Sequence, residues 1–213
     1  MSVNLNPEKA LIFRIVHVEN VLWILDHGLH SHSSPEQDPN YLNIGNKDLI
    51  EHRSQRRVPI PPGGSLSNYV PFYFTPFSPM MLNIKTGHGG ITRRNNRDIV
   101  IFVSSMHRLA ELGLPCVFTN QHAYTVDAEF FSGTGDLCRI DWKLLQSRNF
   151  KTDDADPGKS ARYQAEALVH HHVPLAALHG VGCHNDEVRL RLQSMVESRG
   201  LSLSVKSTPT WYF

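Results

Sequence analysis

Arg14 is the first residue whose position suggests chemistry, because its charge interrupts an apolar run at residues 10–16 (ALIFRIV). Burying a guanidinium without an anionic partner is very costly. One interpretation is a structural salt bridge within the fold. The other is an arginine at the mouth of a cleft, where its planar set of donors binds a phosphate or a ribose hydroxyl. Both interpretations remain open from this residue alone.

Glu166 lies in a segment, residues 162–169 (RYQAEALV), whose apolar residues recur with a period of two. This pattern predicts a strand with the odd-numbered residues facing the core and Arg162, Gln164 and Glu166 on the other face. There, Gln164 and Glu166 can bind a hydroxyl-rich ligand together, and the carboxylate can stabilise positive charge on a sugar carbon. The alternatives are an edge strand with a solvated face, or a helix, because some apolar residues also match helical spacing.

A basic stretch and an aromatic stretch follow each other in the chain. Residues 51–57 (EHRSQRR) include Arg53 and Arg56, and residues 69–74 (YVPFYF) include Tyr69 and Tyr73. Cations hold phosphates and aromatic rings stack on bases, so this combination suits binding of a nucleotide or a nucleic acid. The alternatives are a solvated charge run and rings that pack in the core, and core packing is expected for at least half of the rings.

The histidines and cysteines do not predict a metal site. Residues 170–172 are three consecutive histidines, but successive residues of a strand point to opposite faces and cannot all bind one ion. No neighbouring Cys or acidic residue completes a known ligand spacing. Cys116, Cys138 and Cys183 have neither metal nor redox spacing, which favours a reducing compartment. We expect no metal.

Length and composition are those of one domain over residues 1–213. The chain has 213 residues, of which 40% are hydrophobic, which is ample for a packed core. The net charge of +1 excludes a histone-like nucleic-acid binder, so any contact with nucleic acid must be a local patch. The N-terminus lacks an apolar signal core, and no run is long enough to cross a membrane. We expect a soluble, unexported, cytoplasmic protein.

The elements that position these residues are predicted from apolar periodicity and turn signals. Strands are expected at 10–16, 69–74, 99–103, 115–119 and 201–205, and helices at 20–27, 47–55 and 185–199. For the helix at 20–27, Asn20 is the candidate N-cap, Gly28 ends it, and its apolar face includes Leu22 and Leu25. Residues 29–46 and most of 120–160 are expected to be irregular, and long irregular stretches are often functional. Strands and helices mix without a regular βαβ order, which indicates the α+β class.

Several segments together resemble the DarT family in order and spacing. They are IFRIVHVENV, the basic helix with Arg53, PIPPGGSLSNYVPFYFTPFSPM, GLPCVFT, QAEALVHH and the closing PTWYF, and they cover essentially the whole chain. The resemblance implies an ADP-ribosyltransferase fold, a split β-sheet with NAD⁺ in a central cleft and flanking helices. It further implies metal-free, sequence-selective transfer of ADP-ribose from NAD⁺ to thymidine in single-stranded DNA. The family are toxins whose partner, DarG, has a macrodomain that removes the modification and a part that neutralises the toxin directly.

The same resemblance assigns the catalytic and DNA-contacting residues. Glu166 matches the catalytic glutamate of the family, and Arg53 matches the catalytic arginine on the helix before the PPGG turn. Arg56, Tyr69 and Tyr73 are the expected contacts to DNA. The stretch 120–160 matches the substrate loop, so DNA specificity is expected to reside there.

The resemblance also assigns the segment that binds NAD⁺. Phe13, Arg14 and Ile15 match the strand that grips the cofactor, although some relatives have His where this chain has Arg14. His17 and Asn20 match the H-x-x-N pattern that follows, and we expect them near NAD⁺ or supporting its site. Gln164, two residues before Glu166, is expected to contact NAD⁺ as well.

Three rival functions remain. An NAD⁺ glycohydrolase would use the same cleft with water as the acceptor. A relative with the same fold would act on another base such as guanine, on RNA or on protein. A non-catalytic nucleic-acid-binding module is disfavoured by the near-neutral net charge and by the predicted strand face that carries Glu166.

Overall fold

The computed structural model describes residues 4–213 and has the α+β architecture expected from the sequence. The strands are β1 Leu11–His17, β2 Leu29–His30, β3 Tyr69–Tyr73, β4 Ile99–Ser105, β5 Cys116–Thr119, β6 Phe130–Ser132, β7 Glu166–His170, β8 His172–Val173, β9 Gly180–Cys183 and β10 Ser204–Ser207. The helices are α1 Val21–His27, α2 Lys47–Arg53, α3 Pro79–Thr86, α4 Met106–Glu111, α5 Trp142–Ser147, α6 Lys159–Arg162 and α7 Asp186–Glu197.

Eight strands form one sheet that is split near its centre. The order is β10-β9-β4-β1-β3-β7-β5-β6, while β2 and β8 form a separate two-stranded ladder. Strand β1 pairs with β4 along all seven of its residues, but it pairs with β3 only at Phe13 and Tyr73. Beyond that point the two strands diverge, which opens the sheet between β1 and β3. The expected split sheet is therefore confirmed.

Strand β7 is shorter than the alternating pattern predicted. Residues 159–162 form α6, and the backbone N–H groups of Tyr163 and Gln164 still donate to carbonyls of that helix, so the chain becomes extended only at Glu166. The prediction that Arg162, Gln164 and Glu166 share one face of a strand is wrong. Strand β7 lies between β3 and β5, both of its faces are covered, and Glu166 is only 2% exposed.

Helix α1 begins and ends close to the predicted positions, and it buries Leu25 as predicted. Gly28 ends the helix with φ of 82°, where a side chain would also collide with the carbonyl oxygen of Val173. Residues 18–20 form a 3₁₀ turn before the helix. Ile24 is also buried, whereas Leu22 is 42% exposed, contrary to the prediction.

Other boundaries shift by a few residues. The predicted strand at 201–205 is observed as β10, which begins at Ser204 and pairs in parallel with β9. The stretch 120–160 contains β6, a 3₁₀ helix at residues 134–139 and α5, so it is less irregular than expected. Across residues 4–213, no helix combines the length and apolarity needed to traverse a lipid bilayer.

Candidate active site

A buried ion pair joins Arg53, the last residue of α2, to Glu166, the first residue of β7. Nη1 of Arg53 donates to Oε1 of Glu166 at 3.2 Å, and Nη2 donates to Oε2 at 2.9 Å. The Arg53 side chain is 12% exposed and the Glu166 side chain 2%. Two residues that lie 113 positions apart in the chain therefore form a bidentate pair of the kind that fixes geometry as well as charge.

A short loop after β5 supplies further contacts to the Glu166 carboxylate. The backbone N–H of Ala123 donates to Oε1 at 3.0 Å, and Nε2 of His122 lies 4.0 Å from the same oxygen. The backbone N–H of Glu166 donates to Oγ1 of Thr119, whose hydroxyl donates to the Gln121 carbonyl oxygen. These contacts leave the carboxylate little freedom to rotate. Sequence reasoning did not find His122 or Ala123, and the only signal for them was the expected functional character of the stretch 120–160.

Charge pairing keeps Glu166 ionised. Burial by itself would raise its pKa, but the nearby Arg53 guanidinium, His122 and the hydrogen bonds from Arg53 and Ala123 lower the pKa below its usual range. For Arg53, burial lowers the pKa and attraction to Glu166 outweighs it, so the pKa is raised. Burial and the Glu166 charge raise the pKa of Tyr73 to about 12. At neutral pH the site therefore holds a carboxylate, a guanidinium and a neutral phenol.

The pair lines a cavity of about 310 Å³ that occupies the split in the sheet. This volume is within the range of sites for small ligands and cofactors. Its walls come from β1, from β3, from the start of β7, from α2 and from the segment between β2 and α2. Lining residues that belong to the expected site are Arg14, Ile15, Arg53, Tyr69, Tyr73, Gln164 and Glu166.

Arg14 reaches into this cavity without an acidic partner among residues 4–213. Its Nη1 donates to the carbonyl oxygen of Pro71 at 3.2 Å, across the split between β1 and β3. Its Nε is buried and has no hydrogen-bond partner within the described part of the chain. The salt-bridge interpretation of this residue is thus wrong. A guanidinium with an unused buried donor in a cavity wall is suited to an anionic or hydroxyl-bearing ligand.

The segment between β2 and α2 forms one wall, and Asn20 holds it in place. Asn20 does not cap α1; its Nδ2 donates to the Leu42 carbonyl oxygen at 3.0 Å, and its Oδ1 accepts from the Leu42 N–H at 2.9 Å. Gln37 donates from Nε2 to three carbonyl oxygens of the same segment. Asp38 and Tyr41 of this wall were not predicted as site residues, and the only signal was the length of the polar loop.

Phe13 and His17 are not brought to the cavity wall. Phe13 is completely buried and packs edge-on against Trp211, because alternate residues of β1 face opposite sides of the sheet. His17 is 6% exposed, and its Nδ1 accepts from the N–H of Glu19 at the start of the 3₁₀ turn. A direct contact of either side chain with a ligand in this cavity is not supported.

Two of the expected DNA contacts have structural partners instead. Tyr69 is 1% exposed and donates its hydroxyl to the Gly63 carbonyl oxygen, so its ring presents no free face to a base. Arg56 donates from Nη2 to the carbonyl oxygens of Thr125 and Val126 at 2.9 and 3.2 Å. Tyr73 is half-buried in the cavity wall, with its hydroxyl 3.7 Å from Sδ of Met80.

Because three histidines are wholly or partly buried, the protein is expected to be destabilised in mild acid. Burial lowers the pKa of His17, His122 and His170 from the ordinary value of 6.5. The unfolded chain therefore binds more protons than the folded protein as pH falls below 6.5. The stability that depends on these neutral rings is present above pH 6.5 and is lost as pH falls towards their lowered pKa values.

Urea denaturation at pH 7.5 and pH 5.5 measures this effect. We expect a smaller free energy of unfolding at pH 5.5, and a smaller difference between the two pH values in a His170→Gln variant. Carboxylates do not account for a change in this window, because Asp and Glu titrate near pH 4 or below. Equal stability at the two pH values would contradict the prediction.

Comparison with known proteins agrees with this geometry. The sequence model of the family described as "ssDNA thymidine ADP-ribosyltransferase, DarT" matches residues 13–213. A protein of Escherichia coli O127:H6 (strain E2348/69 / EPEC), named DNA ADP-ribosyl transferase, is 50% identical over 212 residues, covering 100% of this chain and 97% of the relative.

Two solved structures of DarT from Thermus sp. 2.9 are similar over nearly the whole chain. The complex with ADP-ribosylated ssDNA has a TM-score of 0.88 at 30% identity and covers 100% of both chains. The complex with NAD⁺ has a TM-score of 0.82 at 30% identity, covering 97% of this chain and 99% of the other. The sequence match, the shared fold and the split sheet lead to one conclusion: the chain belongs to the DarT family of DNA ADP-ribosyltransferases, enzymes that use NAD⁺ as substrate.

Proposed function

We propose that this protein transfers ADP-ribose from NAD⁺ to a thymidine base in single-stranded DNA, with sequence preference. The observation that carries the proposal is the buried Arg53–Glu166 pair in the wall of the cavity at the split of the sheet. The names of the similar proteins, which mention DNA, NAD⁺ and ADP-ribosylated ssDNA, support it.

Glu166 is proposed to stabilise the ribose as the nicotinamide bond breaks. Cleavage of the bond between the ribose carbon and the nicotinamide nitrogen releases neutral nicotinamide and leaves positive charge on the sugar. A carboxylate that is already ionised, buried and fixed by Arg53 and Ala123 stabilises that charge without having to reorganise. A ring nitrogen of thymine then bonds to the ribose carbon and loses its proton, so atoms and charge balance with release of one H⁺.

Arg53 is proposed to orient the base rather than to remove its proton. Its pKa is raised further above neutral by Glu166, so the guanidinium does not act as a base. It is suited to stabilise negative charge that develops on a thymine carbonyl as the proton leaves. The acceptor base must leave any stack to enter the cavity, which favours single strands.

Arg14 is proposed to bind NAD⁺ through its guanidinium, which lines the cavity and has no acidic partner among residues 4–213. Hydrogen bonds to a charged group contribute about 1.5–3 kcal/mol. Replacing Arg14 with methionine is therefore expected to raise the Kd for NAD⁺ by roughly 10- to 150-fold. Isothermal titration calorimetry without DNA measures this Kd. Arg199→Met, at a surface ion pair with Asp26, is the control, and a Kd for Arg14→Met within twofold of wild type would contradict the role.

Mass spectrometry of a mixed-sequence single-stranded oligonucleotide, incubated with NAD⁺ and the protein, tests the proposed function. We expect an added mass of one ADP-ribose with the wild-type protein and far less of it with Glu166→Gln over the same incubation time. Fragment masses identify the modified base. A duplex of the same sequence serves as the matched acceptor and is expected to be modified far less.

Other outcomes would select a rival function. NAD⁺ consumption without an adduct would indicate a glycohydrolase. Adducts on guanine, RNA or protein would indicate a transferase of the same fold that acts on a different acceptor. If no DNA, RNA or protein acceptor is modified and no NAD⁺ is consumed, the transferase proposal is overturned and a binding module remains.

The biological setting is proposed from the DarT resemblance in the sequence. The protein would act in the cytoplasm as a toxin, and its partner would be a DarG-type antitoxin whose macrodomain removes ADP-ribose from DNA. The expected phenotype is growth arrest when the wild-type protein is expressed alone and normal growth with Glu166→Gln. Co-expression of such a macrodomain protein is expected to restore growth, and failure to do so would contradict the pairing.

A further inference from the structure

Two exposed aromatic rings belong to residues that are next in sequence to the groups holding Glu166. The rings of His52 and Tyr124 are nearly parallel, with centroids 6.1 Å apart and an interplanar angle of 14°. His52 precedes Arg53 in α2, and Tyr124 follows Ala123, whose N–H binds the Glu166 carboxylate. Each ring is therefore one residue away from a group that holds Glu166. Neither ring is buried, and Tyr124 is 38% exposed.

The loop that carries Tyr124 is held in a fixed shape although its surface is exposed. Asn120 and Glu129 close its base with two hydrogen bonds, of 2.8 and 3.2 Å. Arg56 donates from below to two carbonyl oxygens near the tip. His122 accepts from the N–H of Tyr124. A ring held in advance loses little conformational freedom when a ligand stacks on it.

The charges of this loop favour contact with bases rather than with phosphates. Asp127 and Glu129 are exposed on it and repel a phosphate backbone, whereas the basic residue Arg56 is engaged internally. Aromatic rings stack on every base because each base has a π-face, and this stacking does not depend on phosphate contacts. An aromatic surface next to acidic side chains therefore fits an unpaired base.

We propose that the His52–Tyr124 ring pair stacks on an unpaired base of the single-stranded acceptor beside Glu166. Arg56 is in this view a positioning residue that holds the loop. The inference rests on the proposed function and deepens it, since it names the surface that binds the acceptor strand. It also places the base-stacking surface on α2 and the loop 120–129, away from the aromatic strand β3.

Fluorescence anisotropy of a labelled mixed-sequence single-stranded oligonucleotide, without NAD⁺, tests the ring pair. Tyr124→Ala and His52→Ala are each expected to raise the Kd for the oligonucleotide by about 10-fold. Tyr124→Phe is expected to bind like wild type, because the ring and not the hydroxyl makes the contact. Leu190→Ala, at an apolar residue of α7 that is 60% exposed, is the matched control and is expected to change nothing.

An abasic oligonucleotide of the same length separates bases from backbone. Wild type is expected to lose affinity for it, whereas Tyr124→Ala is expected to lose much less, because its stacking contact is already absent. Circular dichroism melting and the Kd for NAD⁺ report whether each variant is folded with an intact cavity.

Provided that the wild-type protein modifies the oligonucleotide once NAD⁺ is added, two results would overturn the stacking proposal while leaving the proposed function intact. The first is that Tyr124→Ala and His52→Ala bind the oligonucleotide within twofold of wild type. The second is that Tyr124→Phe binds it as weakly as Tyr124→Ala. A wild-type protein that neither binds nor modifies the oligonucleotide would overturn the proposed function itself.

Discussion

Replacing Glu166 with glutamine is expected to lower the rate of ADP-ribose transfer by roughly 10²- to 10³-fold, the usual cost of removing one preorganised group that stabilises transition-state charge. Glutamine keeps the size of the side chain but removes the negative charge that is proposed to stabilise the ribose. The loss should appear in kcat, since the charge on the sugar develops only as the nicotinamide bond breaks. Initial rates of adduct formation at saturating NAD⁺ and oligonucleotide measure it.

Asp26→Asn is the matched control for this substitution. Asp26 also forms a bidentate pair, accepting from Nε and Nη2 of Arg199. This pair lies on the surface, where 45% of the Asp26 side chain is exposed. The same chemical change there is expected to leave transfer unchanged. A Glu166→Gln protein with more than about a tenth of the wild-type kcat would contradict the proposed role of the carboxylate.

Glu166→Gln is also expected to destabilise the fold, because it leaves the Arg53 guanidinium buried without a counter-charge. Breaking a buried pair by removing one partner costs about 3–5 kcal/mol. The exposed Asp26–Arg199 pair is solvated, and Asp26→Asn should leave the free energy of unfolding nearly unchanged. Urea denaturation compares the two variants. Activity is therefore compared at a temperature where circular dichroism shows both variants folded.

Replacing Arg53 with methionine is expected to change the pH dependence of the reaction as well as its rate. The largest influence that lowers the pKa of Glu166 is the Arg53 guanidinium, which opposes the effect of burial. Without it, burial should raise the pKa of Glu166 above 4.5, so that the carboxyl ionises only at higher pH. The rate of transfer is expected to fall by roughly 10²-fold at pH 7 and to rise with pH between 5 and 8.

In Arg53→Met, the contribution of Glu166 to folding stability is expected to change with pH in the direction opposite to that in wild type. In wild type the folded pKa of Glu166 is lowered, so its contribution to stability is present above pH 4.5 and is lost as pH falls. In the variant the folded pKa is raised, so the contribution is present below pH 4.5 and is lost as pH rises. Rate–pH profiles and urea denaturation at pH 5 and pH 8 measure both effects.

A double variant separates stability from chemistry. Arg53→Met combined with Glu166→Gln leaves no buried charge, so it is expected to be more stable than either single variant, with the two changes far from additive. It is expected to remain inactive. Arg199→Met serves as the control for the loss of a guanidinium at the surface. A rate–pH profile of Arg53→Met that matches wild type would contradict the coupling between Arg53 and Glu166.

The sequence pointed to the two charged side chains of the candidate site but misplaced their surroundings. The order of segments assigned Glu166 and Arg53 as a catalytic pair, and the structure brings them into bidentate contact. The alternation in residues 162–169, in contrast, placed Glu166 on a strand face that points away from the core. Alternation reports which residues are apolar, and it does not report that a second layer covers the polar face of a central strand.

Local sequence patterns could not predict contacts between segments that are far apart in the chain. His122 and Ala123 lie 43 or more positions from Glu166, and no periodicity relates them to it. Arg56, read as a contact to phosphate, is an internal donor to a loop about 70 residues away. A basic side chain in a sequence gives its charge, but only the fold decides whether solvent, a ligand or a backbone carbonyl satisfies its donors.

By itself the sequence determined the α+β class, most strand and helix positions, the family resemblance and the identity of the two charged side chains. These depend on local apolar periods, turn residues and the order of motifs. Tertiary structure alone decided that β1 and β3 diverge after one residue pair and that Arg14, in the wall of the resulting cavity, has a buried donor without a partner among the described residues. It also decided that Tyr69 is buried while Tyr124 is exposed. These properties depend on which segments pack against each other, because burial and electrostatics arise from contacts between residues far apart in the chain.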